Sequence, residues 1–131
     1  MKKLSTLIII LLFTTILSAG AFLEYFSARS EYGNVKIEWK TADEINLKEF
    51  VIERKTLHGN FISVGTIAPK GDNSFYQFID ENVFKTSDYL FVYRIKIVDN
   101  DSKASYSKEV TVTHNISDVK RTWGSIKAMF R

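Results

Sequence analysis

Val35, Ile37 and Trp39 alternate with Lys36, Glu38 and Lys40, and that spacing is the tightest constraint in the chain. Side chains that change character at every second residue line the two faces of an extended strand, and a helix cannot sort them that way. The same period returns at Phe91, Tyr93, Ile95 and Ile97 against Val92, Arg94, Lys96 and Val98. Phe50 and Ile52 carry it on after a connection over residues 43–48. Each run is short and ends in turn residues: His58-Gly59-Asn60, Pro69-Lys70-Gly71-Asp72-Asn73-Ser74 and Asp99-Asn100-Asp101-Ser102. Residues 23–30 read as a first edge strand and residues 61–67 as another. Tyr76 and Phe78 mark a short strand ending at Asp80, and Tyr106, Val110 and Val112 mark the last. About seven short strands without intervening helices predict one all-β, immunoglobulin-like sandwich. Trp39, Phe50, Ile52, Tyr93 and Ile95 are its expected core.

The first 21 residues read differently. Met1-Lys2-Lys3 is basic, residues 4–17 are apolar apart from Ser and Thr, and Ser18-Ala19-Gly20-Ala21 supplies small residues with Ala19 and Ala21 in A-x-A spacing. That is the layout of a secretory signal peptide. The apolar run is shorter than the roughly 20 residues of a spanning helix. Export is therefore expected, to the periplasm or to the cell surface and beyond. The sandwich is then expected to form the whole mature chain at residues 22–114, followed by a tail at residues 115–131. There is no cysteine, so the core has to suffice without disulfides, and neither a lipid-anchored thiol nor a thiolate metal site exists.

Charge divides along the chain. The formal net charge is +3. Residues 22–117 hold 12 Lys and Arg against 14 Asp and Glu, whereas Lys120, Arg121, Lys127 and Arg131 face only Asp118 in the tail. A slightly acidic body argues against a nucleic-acid partner, and so does export.

Val35-Lys36-Ile37-Glu38-Trp39-Lys40-Thr41-Ala42-Asp43-Glu44-Ile45-Asn46 resembles the opening V-x-L-x-W-x-T-A-x-E-x-N of a fibronectin type III-like domain of secreted and surface proteins in gliding-type Gram-negative bacteria. The resemblance continues through Phe50-Val51-Ile52-Glu53-Arg54, Gly59-Asn60-Phe61 and Val64-Gly65-Thr66-Ile67. It resumes at Tyr76-Gln77-Phe78-Ile79-Asp80, at Tyr93-Arg94-Ile95-Lys96-Ile97-Val98-Asp99 and at Tyr106-Ser107. It implies a fibronectin type III-like sandwich that serves as spacer, adhesive surface or partner-binding module, with no shared active site. Asp101-Ser102-Lys103 stands where that family has Asp-Gly-Lys, which predicts a looser hairpin.

Chemistry-bearing residues are sparse. His58 and His114 are the two histidines and neither has a neighbour at metal-ligand spacing. Asp99, Asn100 and Asp101 have the oxygens for a calcium ion, but turns favour the same residues for backbone reasons. Asp43, Glu44 and Glu49 could suggest paired carboxylates, yet a small sandwich offers little cleft between them, and Glu44 is expected to cap backbone N–H groups in its own connection. No catalytic residue, cofactor or metal is expected. Tyr25, Phe26, Tyr32, Tyr89 and Phe91 are candidates for partial exposure, which keeps a small adhesive or carbohydrate-binding face as an alternative.

The tail is the unusual segment. Ser117 suits an N-cap and Asp118 the positive end of a helix. Val119, Trp123, Ile126 and Phe130 then fall at spacings of four, three and four, on one face. Lys120, Arg121, Lys127 and Arg131 lie mainly elsewhere. A short amphipathic C-terminal helix is expected, and three uses for it follow. It folds back on its own sandwich, it docks into a protein partner, or it lies on an anionic membrane surface. The expected role is an exported, non-catalytic binding or scaffolding module that docks through this tail.

Overall fold

The computed structural model describes residues 20–83 and 89–113, with side chains from Leu23 onward. The expected signal peptide lies outside the described residues as far as residue 19. So does the expected tail, with Val119, Lys120, Arg121, Trp123, Ile126, Lys127, Phe130 and Arg131, and so does His114.

Eight strands form among the described residues: β1 (Gly20–Glu31), β2 (Asn34–Ile45), β3 (Leu47–Thr56), β4 (Ile62–Ile67), β5 (Phe75–Asp80), β6 (Leu90–Asp99), β7 (Ala104–Tyr106) and β8 (Val110–Thr113). They make two antiparallel sheets. One is ordered β1-β2-β5, and the other β4-β3-β6-β7 with β8 also paired to β6. The all-β sandwich is as the alternation predicts, with three departures.

The expected last strand is two. β7 pairs with Lys96–Val98 and β8 with Leu90–Tyr93. Between them Ser107 turns its hydroxyl back into the ladder, where Oγ accepts from the Ile95 N–H at 2.8 Å and donates to Lys108 O at 2.8 Å. A side chain thus does the work of a backbone carbonyl, and regular pairing stops there.

The expected connection over residues 43–48 is almost all strand. β2 runs to Ile45, β3 starts at Leu47, and the chain crosses from one sheet to the other at Asn46 alone. Asn46 sits at φ 52°, a left-handed conformation that Asn tolerates better than most residues. The first strand is also longer than expected: it starts at Gly20, within the segment read as leader, and pairs Gly20 with Ile45 and Ala21 with Glu44.

Alternation then fills the interior. Val35, Ile37, Trp39, Phe50, Ile52, Phe91, Tyr93 and Ile95 are fully buried. Trp39 stacks on Tyr76 with centroids 5.1 Å apart and planes 6° apart, and meets Phe50 edge-on at 5.8 Å. Such ring pairs contribute about 0.5–1.5 kcal/mol each beyond burial. On one side of the sandwich Phe78 of β5 lies over Gly65 of β4 so closely that a Cβ there would fall 2.4 Å from the ring.

Candidate functional site

The strand directions sort the loops into two ends. One end collects the Asn46 corner, the loop 68–74 and the hairpin after β6. The other collects the β1–β2 turn, the β3–β4 turn, the start of β6 and the departure of the chain after β8.

The first end is held by hydrogen bonds. Glu44 is its centre. Its Oε2 accepts the Gly71 N–H at 2.5 Å, and its Oε1 accepts from the Tyr76 hydroxyl and from Thr41 Oγ1 at 3.3 Å. The Tyr76 hydroxyl accepts in turn from the Lys70 N–H at 2.7 Å. The Asp72 carboxylate accepts the Glu44 N–H at 2.7 Å, and the Asn73 N–H donates to Ala42 O at 2.9 Å. Glu44 therefore caps backbone as expected, but in a loop 27 residues onward rather than in its own connection. Burial, then the Glu44 hydrogen bond, pushes the Tyr76 phenol up to about 12.

The neighbouring hairpin is likewise closed on itself. Asp99 Oδ1 accepts the N–H groups of Asp101 at 3.0 Å and Lys103 at 2.8 Å, and Asp101 Oδ2 accepts from Asn46 Nδ2 at 3.3 Å. Ser102 holds the left-handed position at φ 64°, with its N–H on Asp99 O at 3.0 Å. The serine hairpin closes by using the Asp99 carboxylate.

The second end is built differently, with a buried carboxylate set on a buried cation. Arg54 of β3 donates to Asp80 of β5 at 2.5 Å, across the two sheets, and both are buried. The Tyr93 hydroxyl donates to the same oxygen at 2.9 Å, and the Asn82 N–H reaches the other at 3.2 Å. Burial, then the Asp80 charge, pushes the Tyr93 phenol far above its usual range. Sequence reasoning missed this cluster, although a signal was present. Arg54 is in phase with Phe50 and Ile52, and Asp80 with Tyr76, so alternation sends two opposite charges to the interior.

Outside the cluster three large apolar side chains stand exposed among polar ones. Leu57 is 54% exposed, Tyr89 58% and Leu90 38%. With Thr56 and His58 they line a hollow of about 320 Å³. Of the five aromatic residues expected to be partly exposed, Tyr25, Tyr32 and Tyr89 are. Phe26 and Phe91 are buried, because β1 sets Phe26 against Trp39 and Phe91 is in phase with Tyr93 and Ile95.

The broad faces match their own charges. Across the outer face of β1 and β2, Lys36 pairs with Glu38 at 3.3 Å and Glu31 at 3.7 Å, Arg29 with Glu38 at 3.7 Å, and Lys40 with Glu24 at 3.2 Å. On the other sheet Arg94 bonds Glu53 at 2.8 Å and lies between the rings of Phe61 and Tyr106, at 3.8 and 4.0 Å from their centroids. A second groove of about 320 Å³ opens between β1 and the break after β7, with Tyr25, Phe26, Tyr106 and Lys108 among its walls. Among the described residues no group of three or more His, Cys, Asp or Glu converges on a metal position.

No family model matches the chain, and no curated protein is significantly similar to it. A solved structure supplies the fold. An Fn3-like protein from Clostridium thermocellum superposes with a TM-score of 0.52 at 19% identity, over 75% of this chain and 96% of that one. The sandwich is fibronectin type III-like. Parts of two larger proteins are also similar: pectate lyase PelI from Erwinia chrysanthemi, with 15% identity and a TM-score of 0.48, and a β-1,2-glucanase from Parabacteroides distasonis, with 17% and 0.48. The match spans 72% of this chain in both cases, but 28% and 12% of theirs.

Proposed function

We propose that the protein is an exported, non-catalytic binding or scaffolding module that docks to a protein partner in the cell envelope or outside the cell through residues 115–131. The setting proposed is the envelope of a gliding-type Gram-negative bacterium, as the sequence resemblance implies. One observation carries the reading. β8 ends at Thr113, paired with Leu90, so the tail departs beside the exposed Leu57, Tyr89 and Leu90, away from the loops that are tied to one another. The carboxylates with chemical potential support the non-catalytic part, since Glu44, Asp80 and Asp99 are each spent on backbone, tyrosine or arginine donors.

The test is Trp123→Glu in the full chain, followed by co-purification from cells. The reading expects the partner to be lost while the sandwich melts as before. A variant that unfolds the sandwich, or one that keeps the partner, overturns it. Binding to anionic vesicles that weakens with salt replaces the protein partner by a membrane surface.

A second reading rests on the groove between β1 and β7. Tyr25 and Tyr106, both about half exposed, stand at its sides, which suits a small adhesive or carbohydrate-binding face. A glycan screen with the tail deleted separates the two, because only this reading retains a ligand.

A further inference from the structure

The hollow at Leu57, Tyr89 and Leu90 follows from the pairing around it. Thr56 faces Phe91 across β3 and β6. Phe91 points inward and is fully buried, so its neighbour Leu90 is turned out. Leu57 follows Thr56 into the turn and comes to the same rim, where Tyr89 joins it. Three large apolar side chains gathered on one rim differ from the single scattered ones that any surface carries.

What covers this rim is indicated by the path of the chain. Thr113, the last residue of β8, pairs with Leu90, so the chain leaves the sandwich at the hollow itself. Six residue-to-residue steps lead from Thr113 to Val119, a reach of up to about 20 Å. The stripe of Val119, Trp123, Ile126 and Phe130 can therefore lie over the hollow with slack to spare. The stripe and the hollow are both apolar, and a short tether holds them at an effective concentration on the order of millimolar.

We propose that the Leu57–Tyr89–Leu90 hollow is the seat of the chain's own tail. In the free protein the stripe of residues 119–130 lies in it, and a partner must lift the tail to bind it. This inference rests on the docking reading for the role of the tail, and adds that the docking element is covered in the free protein. The affinity of the full chain for a partner is then lowered by the fraction of molecules in which the seat is occupied.

A chain without cysteine allows a direct test. Leu57→Cys combined with Ile126→Cys is treated with a short bismaleimide in the full-length protein. The control pair is Ser105→Cys with Ile126→Cys, since Ser105 is exposed in β7 near the opposite end. The first pair is expected to crosslink within one chain about tenfold faster than the control, independently of protein concentration. Equal rates for the two pairs overturn the inference, and so do crosslinks found only between two chains. A second variant, Leu90→Lys, is expected to red-shift Trp123 emission and to raise partner capture; unchanged emission counts against the seat. Failure is assignable. If the tail is not seated but Trp123→Glu still abolishes capture, the docking reading stands and this inference falls. If the tail is seated and Trp123→Glu leaves capture intact, the docking reading falls and the seat stands.

Discussion

The two ends of the sandwich spend their carboxylates on different partners, backbone N–H groups at one and a buried guanidinium and phenol at the other. At the Glu44 end Glu44 and Asp72 near the surface, and the buried Asp99, bind loop N–H groups beside the ring stack of Trp39, Tyr76 and Phe50. At the Leu57 end the carboxylate and the guanidinium are beneath, joined across the sheets, and Leu57, Tyr89 and Leu90 stand exposed at the same end. An end whose donors and acceptors are already matched to one another has little left to offer a partner. An end with large apolar side chains on its rim gains by being covered, because that area leaves water when something packs on it. The proposed docking places interaction at the Leu57 end, where the chain leaves the sandwich after Thr113.

The contrast can be broken most severely from within. Arg54→Met leaves Asp80 buried with no cation, and the expected loss is about 3–5 kcal/mol. Urea unfolding of the variant checks this, and a loss below about 1 kcal/mol would mean that water reaches the cluster. At the opposite end Glu44→Ala removes the acceptor of Gly71 and Tyr76 at the surface. The expected loss is smaller, about 1–3 kcal/mol, with faster hydrogen exchange confined to loop 68–74.

Alkaline pH sharpens the comparison, since each end holds a tyrosine that resists ionisation. Tyr76 loses its proton at about 12 in the folded chain and near 10 when unfolded. Its contribution is complete below pH 10 and is lost as pH rises through 12. Stability is thus expected to fall above pH 10, and Tyr76→Phe to flatten that fall while Tyr93 keeps part of it. A flat profile in the parent chain contradicts the hydrogen bonds drawn at both ends. The smallest effect is expected at the rim. In the chain lacking residues 115–131, Leu57→Glu should change the stability of the sandwich by less than about 0.5 kcal/mol, because the side chain is outside the packed interior.

The body of the fold was open to reading because alternation is a local property. Trp39, Phe50, Ile52, Tyr93 and Ile95 each announce an inward phase through their immediate neighbours, and all five are buried. What depended on distant partners was read less well. Glu44 reads as a capping residue, but its targets lie at Gly71 and Tyr76, and it is the pairing of β2 with β5 that brings that loop alongside. The break at Ser107 has no compositional mark, since it depends on one hydroxyl meeting the Ile95 N–H. Phe26 and Phe91 were expected to be partly exposed because they are aromatic, although Phe91 shares the phase of Tyr93. The Arg54–Asp80 pair was visible in phase but not in partnership, being 26 residues apart and on different sheets.

The central claim is that this chain acts through the end where its tail departs. The most direct measurement is crosslinking with mass spectrometry in cells, performed on the full chain and on a chain lacking residues 115–131. Crosslinks to one recurring protein that cluster near Leu57, Tyr89 and the tail, and that vanish on truncation, are the predicted result. Crosslinks that persist without the tail, or that cluster around Glu44 and the loop 68–74, would contradict it.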